Sequence, residues 1–166
     1  MNFLISLKRI KKDFLLKENI YFLILILIIF TFDRYTKLIV INNLSEQNYF
    51  VNEYINFDLI WNSGVGFGLL DTQSTLFYNF VTTLIGLIIL ILIYVMINSK
   101  NLDKMIYSSI LGGALGNFYD RIAFKAVPDF IDLHYNNFHW FVFNLADVFI
   151  TIGILTLVIS EIFKKN

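Results

Sequence analysis

Residues 112–121 read GGALGNFYDR, residues 127–130 read VPDF, and residues 143–147 read FNLAD. These blocks place Asp120, Asp129 and Asp147 beside or inside segments hydrophobic enough to enter a bilayer. A carboxylate at membrane depth costs about 2.5 kcal/mol or more, so such residues tend to be functional and seldom face lipid. The rest of the chain reads as the frame that brings two of these carboxylates together.

Composition points the same way. Of 166 residues, 57% are hydrophobic and the mean hydropathy is +0.67. That exceeds the roughly 45–50% apolar usage of soluble domains and makes a membrane protein of one domain the expectation. With 13 basic and 13 acidic residues, net charge gives no sign of a nucleic-acid partner. The lack of cysteine excludes disulfides, thiolate metal sites, a cysteine nucleophile and acylation of the chain on a cysteine of its own. There is no internal repeat and no linker-like stretch, and Pro128 is the single proline.

Four runs approach the roughly 20 residues that a bilayer requires. They cover about 20–41, 76–97, 105–121 and 140–162. The second is free of charge. The third is short and is completed only by continuing through Asp120 and Arg121. No small-x-small cleavage pattern follows the first run, which reads as an uncleaved signal anchor. Lys8, Arg9, Lys11, Lys12 and Lys17 precede that run, Lys100 and Lys104 lie between the second and third, and Lys164 and Lys165 end the chain. Segment 42–75 has no basic residue but carries Glu46, Glu53, Asp58 and Asp71, and segment 122–139 has only Lys125. The positive-inside rule then predicts both termini inside, with 42–75 and 122–139 extracytoplasmic. Within 42–75, the aromatic and β-branched run 49–61 reads either as one or two strands or as an irregular interfacial loop. Asn62-Ser-Gly-Val-Gly-Phe-Gly supplies turn chemistry after it.

Asp33, Thr36 and Lys37 share a helix face, and an i,i+4 salt bridge is the simplest use of the pair. The spacing of Gly112 and Gly116 lets helices approach closely in lipid. Asn117 and Asp120 continue that side, with Arg121 the expected counter-ion of Asp120. Pro128 disfavours helix at Val127 and gives Asp129 an extended entry. Its apolar neighbours raise the Asp129 pKa by desolvation. Asp147, with Asn144 and Thr151, forms a narrow polar stripe on an otherwise apolar helix. Two readings of the stripe stand: a helix–helix hydrogen bond through Asn144, or a dyad of Asp129 and Asp147 sharing a proton. His134 and His139, with Asp132 and Asp129, are irregularly spaced and read as interfacial residues, so no metal is expected. Phosphate-binding, serine-hydrolase and zinc-protease motifs are lacking.

Asp33-x-x-Thr36-Lys37, Asn62-x-Gly64-x-x-Phe67, the block from Gly112 through Asn117 to Asp120-Arg121, Val127-x-Asp129-Phe130 and Phe143-Asn144-Leu-Ala-Asp147 occur in one order. Together they resemble the bacterial lipoprotein signal peptidase family, signal peptidase II, over nearly the whole of 20–162. The resemblance implies an all-α membrane protein with four transmembrane helices and a small extracytoplasmic β-rich cradle between helices 1 and 2. It implies an intramembrane aspartyl endopeptidase of the bacterial inner membrane. Such enzymes remove signal peptides from prolipoproteins on the amino side of a diacylglyceryl-modified cysteine. By the same resemblance Asp129 and Asp147 are the catalytic pair. Asp33, Lys37, Asn62, Gly64, Asn117, Asp120, Arg121, Asn144 and Ala146 line or brace the site. No cofactor is implied, and the partners are lipidated prolipoproteins, membrane lipid and globomycin-type inhibitors. Gly66, where a small residue such as alanine is common, and Pro128 are the small departures from the family pattern.

Two other classes compete. A proton-coupled transporter or channel would also hold membrane carboxylates, but its relay should place polar residues in both halves of the spans, and here they gather at the outer ends. A non-enzymatic assembly factor would tolerate Asp129→Asn.

Overall fold

In a computed structural model of the chain, the described residues are 17–44, 49–64, 75–136 and 138–164. Most of the basic N-terminal tail, together with Glu46, Gly66, Phe67, Asp71 and Lys165, lies outside them. The element order is α1 (Lys17–Asn43), β1 (Tyr49–Phe50), β2 (Ile55–Asn62), α2 (Thr75–Asn98), α3 (Asn101–Phe124), β3 (Val127–Tyr135), β4 (Phe138–Phe143) and α4 (Leu145–Lys164).

Two helices are long and apolar enough to cross a membrane, over Leu76–Asn98 and Leu145–Phe163. Most of their apolar side chains point away from the protein, which in water would expose a prohibitive apolar surface. Charges in the later halves of α1 and α3 set those two helices apart. α3 touches all three other helices. Its Leu111 is fully buried and joins Ile26 of α1 with Ile89 and Met96 of α2 in one core cluster.

The glycine spacing on α3 does what the sequence predicts. A Cβ on Gly112 would stand 2.7 Å from Cβ of Ile29, and one on Gly116 would collide with the Asp33 carboxylate. Ile29 and Asp33 are themselves four apart, so the two smallest positions on α3 receive successive turns of α1. α3 runs to Phe124, longer than the predicted 105–121. It ends where Lys125 takes up the left-handed conformation, φ 59°, and redirects the chain into β3.

The strands form one antiparallel sheet in the order β1-β2-β3-β4. This corrects two expectations. The β-rich cradle is not confined to the segment between the first two helices, because β3 and β4, from the segment before α4, supply half of it. The fourth apolar run does not begin its helix at Trp140, because residues 140–143 belong to β4. Continuous hydropathy conceals that boundary, whereas the aromatic and β-branched FHWFVF favours strand. Pro128 opens β3 opposite Trp61, in a stretch where β4 has not yet begun to pair, so its missing N–H costs no ladder bond on that side.

Candidate active site

Asp147 is positioned by the way α4 starts. Asn144 precedes the helix, and its side-chain oxygen accepts the backbone N–H of Asp147 at 3.1 Å. Asp147 Oδ2 accepts the backbone N–H of Asn144 at 3.1 Å. This reciprocal pair is a capping box with Asp in the acidic position, satisfying two orphan donors of the helix end. The other oxygen, Oδ1, accepts from Asn117 Nδ2 at 2.8 Å. The Asp147 carboxylate is therefore pinned from α3 and from its own cap.

Asp129 sits in the buried start of β3 and is 3% exposed. Its Oδ1 accepts from Asn144 Nδ2 at 2.6 Å and its Oδ2 from Asn62 Nδ2 at 2.8 Å. Asn62 cannot easily turn its amide round, because its own oxygen accepts the Gly64 N–H at 2.9 Å. One residue, Asn144, thus holds both carboxylates, by its side-chain N–H at Asp129 and through the cap at Asp147. Burial, and then the neighbouring Asp147 carboxylate, push the Asp129 pKa up to about 6. The Asn62 and Asn144 donors and the more distant Lys37 charge pull the other way.

Both aspartates line a cavity of about 260 Å³, together with Asn62, Asn117, Arg121, Asn144 and Thr151. Val127, Ile150 and Ile154 form its apolar wall. At about 30 Å³ per water, this holds a peptide unit and a water with room to spare. A polar floor beneath an apolar wall suits a scissile bond carried by an apolar chain.

Behind the cavity lies a largely buried charge network. Lys37, fully buried, donates to Asp120 Oδ2 and to Asn117 Oδ1, each at 2.8 Å. Its Nζ also stands 2.8 Å from Asp33 Oδ2, a close ion pair without an aligned hydrogen bond. Asp33 Oδ1 accepts the Ala146 N–H at 3.0 Å, so a residue of α1 satisfies a third orphan donor of α4. Because Lys37 holds the oxygen of Asn117, the Asn117 amino group must face Asp147.

The predicted i,i+4 pair of Asp33 and Lys37 is present. The predicted pairing of Asp120 with Arg121 is not. Asp120 takes Lys37 and Arg34 instead. Adjacent helical residues point about 100° apart, so Asp120 turns to α1 while Arg121 turns to the cavity. Arg121 is nearly buried, and one of its guanidinium nitrogens, Nη1, has no partner. Arg121 is therefore not the counter-ion of Asp120. Arg34 belongs to this network although no sequence motif marks it. It pairs with Asp120 and lies 4.7 Å from the Tyr119 ring centre. Its signal was a third charge within one turn of Asp33 and Lys37, one cation more than the local carboxylate could neutralise.

With that geometry in view, the comparisons with known proteins are specific. The family model described as Signal peptidase (SPase) II matches residues 25–163. The chain belongs to the signal peptidase II family. It is 46% identical over 153 residues to the lipoprotein signal peptidase of Pelagibacter ubique (strain HTCC1062), covering 90% of this chain and 92% of that protein. It is 38% identical to the lipoprotein signal peptidase of Dichelobacter nodosus (strain VCS1703A), covering 90% and 97%. Among solved structures, a bacterial membrane enzyme determined by the in meso method at 2.3 Å superposes with a TM-score of 0.74 at 27% identity, covering 88% of this chain and 90% of that one. A second, at 1.9 Å, gives 0.69 at 28% identity, covering 85% and 92%. The chain is thus a member of a peptidase family with the fold of membrane enzymes. The signal peptidase II match spans every residue of the cavity and of the charge network behind it.

Proposed function

We propose that the chain is an intramembrane aspartyl endopeptidase that removes signal peptides from prolipoproteins, cutting on the amino side of a diacylglyceryl-modified cysteine. The observation that carries this reading is the joint presentation of Asp129 and Asp147 in one cavity, with Asn144 bonded to both. The pair holds one proton between them. The ionised member takes a proton from a water lying between the carboxylates, and the protonated member gives its proton to the scissile carbonyl oxygen. Water oxygen bonds to the carbonyl carbon to form a tetrahedral diol. Collapse breaks the C–N bond, with the proton taken from water delivered to the leaving nitrogen and one diol hydroxyl proton returned to the carboxylate that had protonated the carbonyl oxygen. Arg121, with its unpartnered nitrogen, binds substrate carbonyls beside the reacting bond. Asn62 and Asn117 orient the carboxylates, Gly64 fixes Asn62, and Asp33, Lys37, Asp120 and Ala146 brace the wall behind. Substrate, lipid and globomycin-type inhibitors share the apolar side of the cavity. No metal or organic cofactor takes part.

All four helices cross the bacterial inner membrane in this reading, with both termini inside. Pairing of Arg34 and Lys37 with Asp33 and Asp120 supports it, since charges neutralised between α1 and α3 need not face lipid. The basic α2–α3 connection, with Lys104 bonded to Asn19 at the start of α1, marks the cytoplasmic end. The sheet and cavity lie at the opposite ends of the helices, at the extracytoplasmic surface where a lipid-anchored cysteine resides.

Purified protein in detergent, given a diacylglyceryl-modified prolipoprotein and its unlipidated form, tests the substrate class. Mass spectrometry is expected to show one cut before the lipidated cysteine and none in the unlipidated chain. Equal cleavage of both forms would contradict the proposed recognition.

A further inference from the structure

On the face of the sheet turned away from the catalytic cavity lies a second convergence of polar side chains. Asp129 and Asp132 are three apart on β3, so strand alternation sends them to opposite faces. Asp132 and His134 are two apart and share a face, and the β3–β4 register sets His139 directly across from His134. Spacing along the chain hides this trio, because only the hairpin and its register shift after Leu133 bring His139 to the pair.

Ligand atoms of Asp132, His134 and His139 all lie within 4.8 Å of one another. His139 Nδ1 is 2.7 Å from Asp132 Oδ2, and His134 Nδ1 is 3.8 Å from the same oxygen. Tetrahedral metal bonds of about 2.0–2.1 Å separate neighbouring donors by roughly 3.3 Å, a value these two distances bracket. The side chains of Asp132 and His134 are 5% and 8% exposed, and Asp132 Oδ1 and His134 Nδ1 have no hydrogen-bond partner. A third orphan, Asn56 Oδ1, belongs to the residue opposite Asp132 on β2. Half of the six buried unpartnered side-chain atoms among the described residues therefore belong to this trio and its cross-strand neighbour. Native proteins seldom leave such groups unsatisfied without an ion or water to serve them. His139, 57% exposed, leaves an open side for water ligands.

We propose that Asp132, His134 and His139 bind one divalent transition-metal ion of the zinc class on the outer face of the sheet, clipping β3 to β4. Two imidazoles and one carboxylate favour such an ion over magnesium or calcium, which take oxygen ligands. The site is separate from the aspartate pair and serves the sheet that carries Asp129.

The test is calorimetric titration of Zn2+ into the full chain, tag-free, in detergent, after chelator treatment. Wild type is compared with His139→Gln, His134→Gln and an Asp129→Asn/Asp147→Asn double variant, with thermal unfolding followed alongside. One ion per chain is expected, together with a rise in Tm on binding. Affinity should fall at least tenfold in each histidine variant and be retained in the double aspartate variant. His139 is mostly exposed, so its variant keeps the fold when the ion is absent. Zn2+ binding that is unchanged by both histidine substitutions, or lost with the aspartate pair, would overturn the proposal. So would the absence of binding in wild type.

Discussion

Two groups of carboxylates sit side by side in this molecule, and their partners differ in kind. Asp33 and Asp120 pair with Lys37 and Arg34, and all of these but Arg34 are fully buried. Asp129 and Asp147 are held by amide and backbone N–H groups and line a cavity. A cation ties a carboxylate to another helix by charge and contact, whereas the amide donors orient Asp129 while burial and the neighbouring Asp147 raise its pKa. The first group therefore anchors α1 to α3, and the second is the pair to which the proposed hydrolysis assigns proton exchange. Asn117 joins them, with its oxygen on Lys37 and its amino group on Asp147.

Breaking the anchoring side should have the largest effect on stability. Lys37→Met leaves Asp33 with no cation partner and Asp120 with Arg34 alone. Loss of one partner in a buried pair costs roughly 3–5 kcal/mol. Denaturant unfolding in mild detergent is expected to show a loss of that size. Activity should fall further than stability alone dictates, because Asn117 is then free to turn its amide away from Asp147. A variant as stable as wild type would show that the cation is dispensable.

The amide-held side should respond to pH instead. Asp129 is raised from 3.8 to about 6, so between these values the folded chain holds a proton that the unfolded chain releases. Unfolding free energy should therefore fall as pH rises from about 4 to about 6, by on the order of 3 kcal/mol from this group. Asp129→Asn should remove that part of the slope. Stability profiles of the two proteins that coincide across this window would contradict the raised pKa.

Much of this division was legible in the sequence, and its gaps have physical causes. Hydropathy located the apolar bodies of α1, α2 and α4, and glycine spacing identified the close face of α3. The Asp33–Lys37 pair follows from helical periodicity. The partners of Asp120 did not, because a neighbour in sequence, Arg121, is not a neighbour on a helix surface, and the cations come from 83 and 86 residues away. The start of α4 was misplaced because FHWFVF continues the apolar run. Asn144-Leu-Ala-Asp147 held the correct signal as a capping box. Pairing of β3 with β2 is long-range, and no local pattern within 122–139 announces it.

The smallest of these effects sharpens the junction between the two groups. Asn144→Ala removes the α4 cap, worth about 1 kcal/mol, and one amide donor to Asp129. Stability should drop by roughly 1–2 kcal/mol, while cleavage drops by more than tenfold because both carboxylates lose a common support. Asn144→Ser, which keeps the cap but not the reach to Asp129, should recover stability without recovering activity. Recovery of both would remove the bridging role from Asn144.

The most direct measurement is cleavage of a diacylglyceryl-modified prolipoprotein by wild type, Asp129→Asn and Asp147→Asn. Thermal unfolding in the same detergent verifies that each variant is folded. Activity in wild type with none detectable in either folded variant is the predicted result. Cleavage by either folded variant at a rate near that of wild type would contradict the aspartate pair.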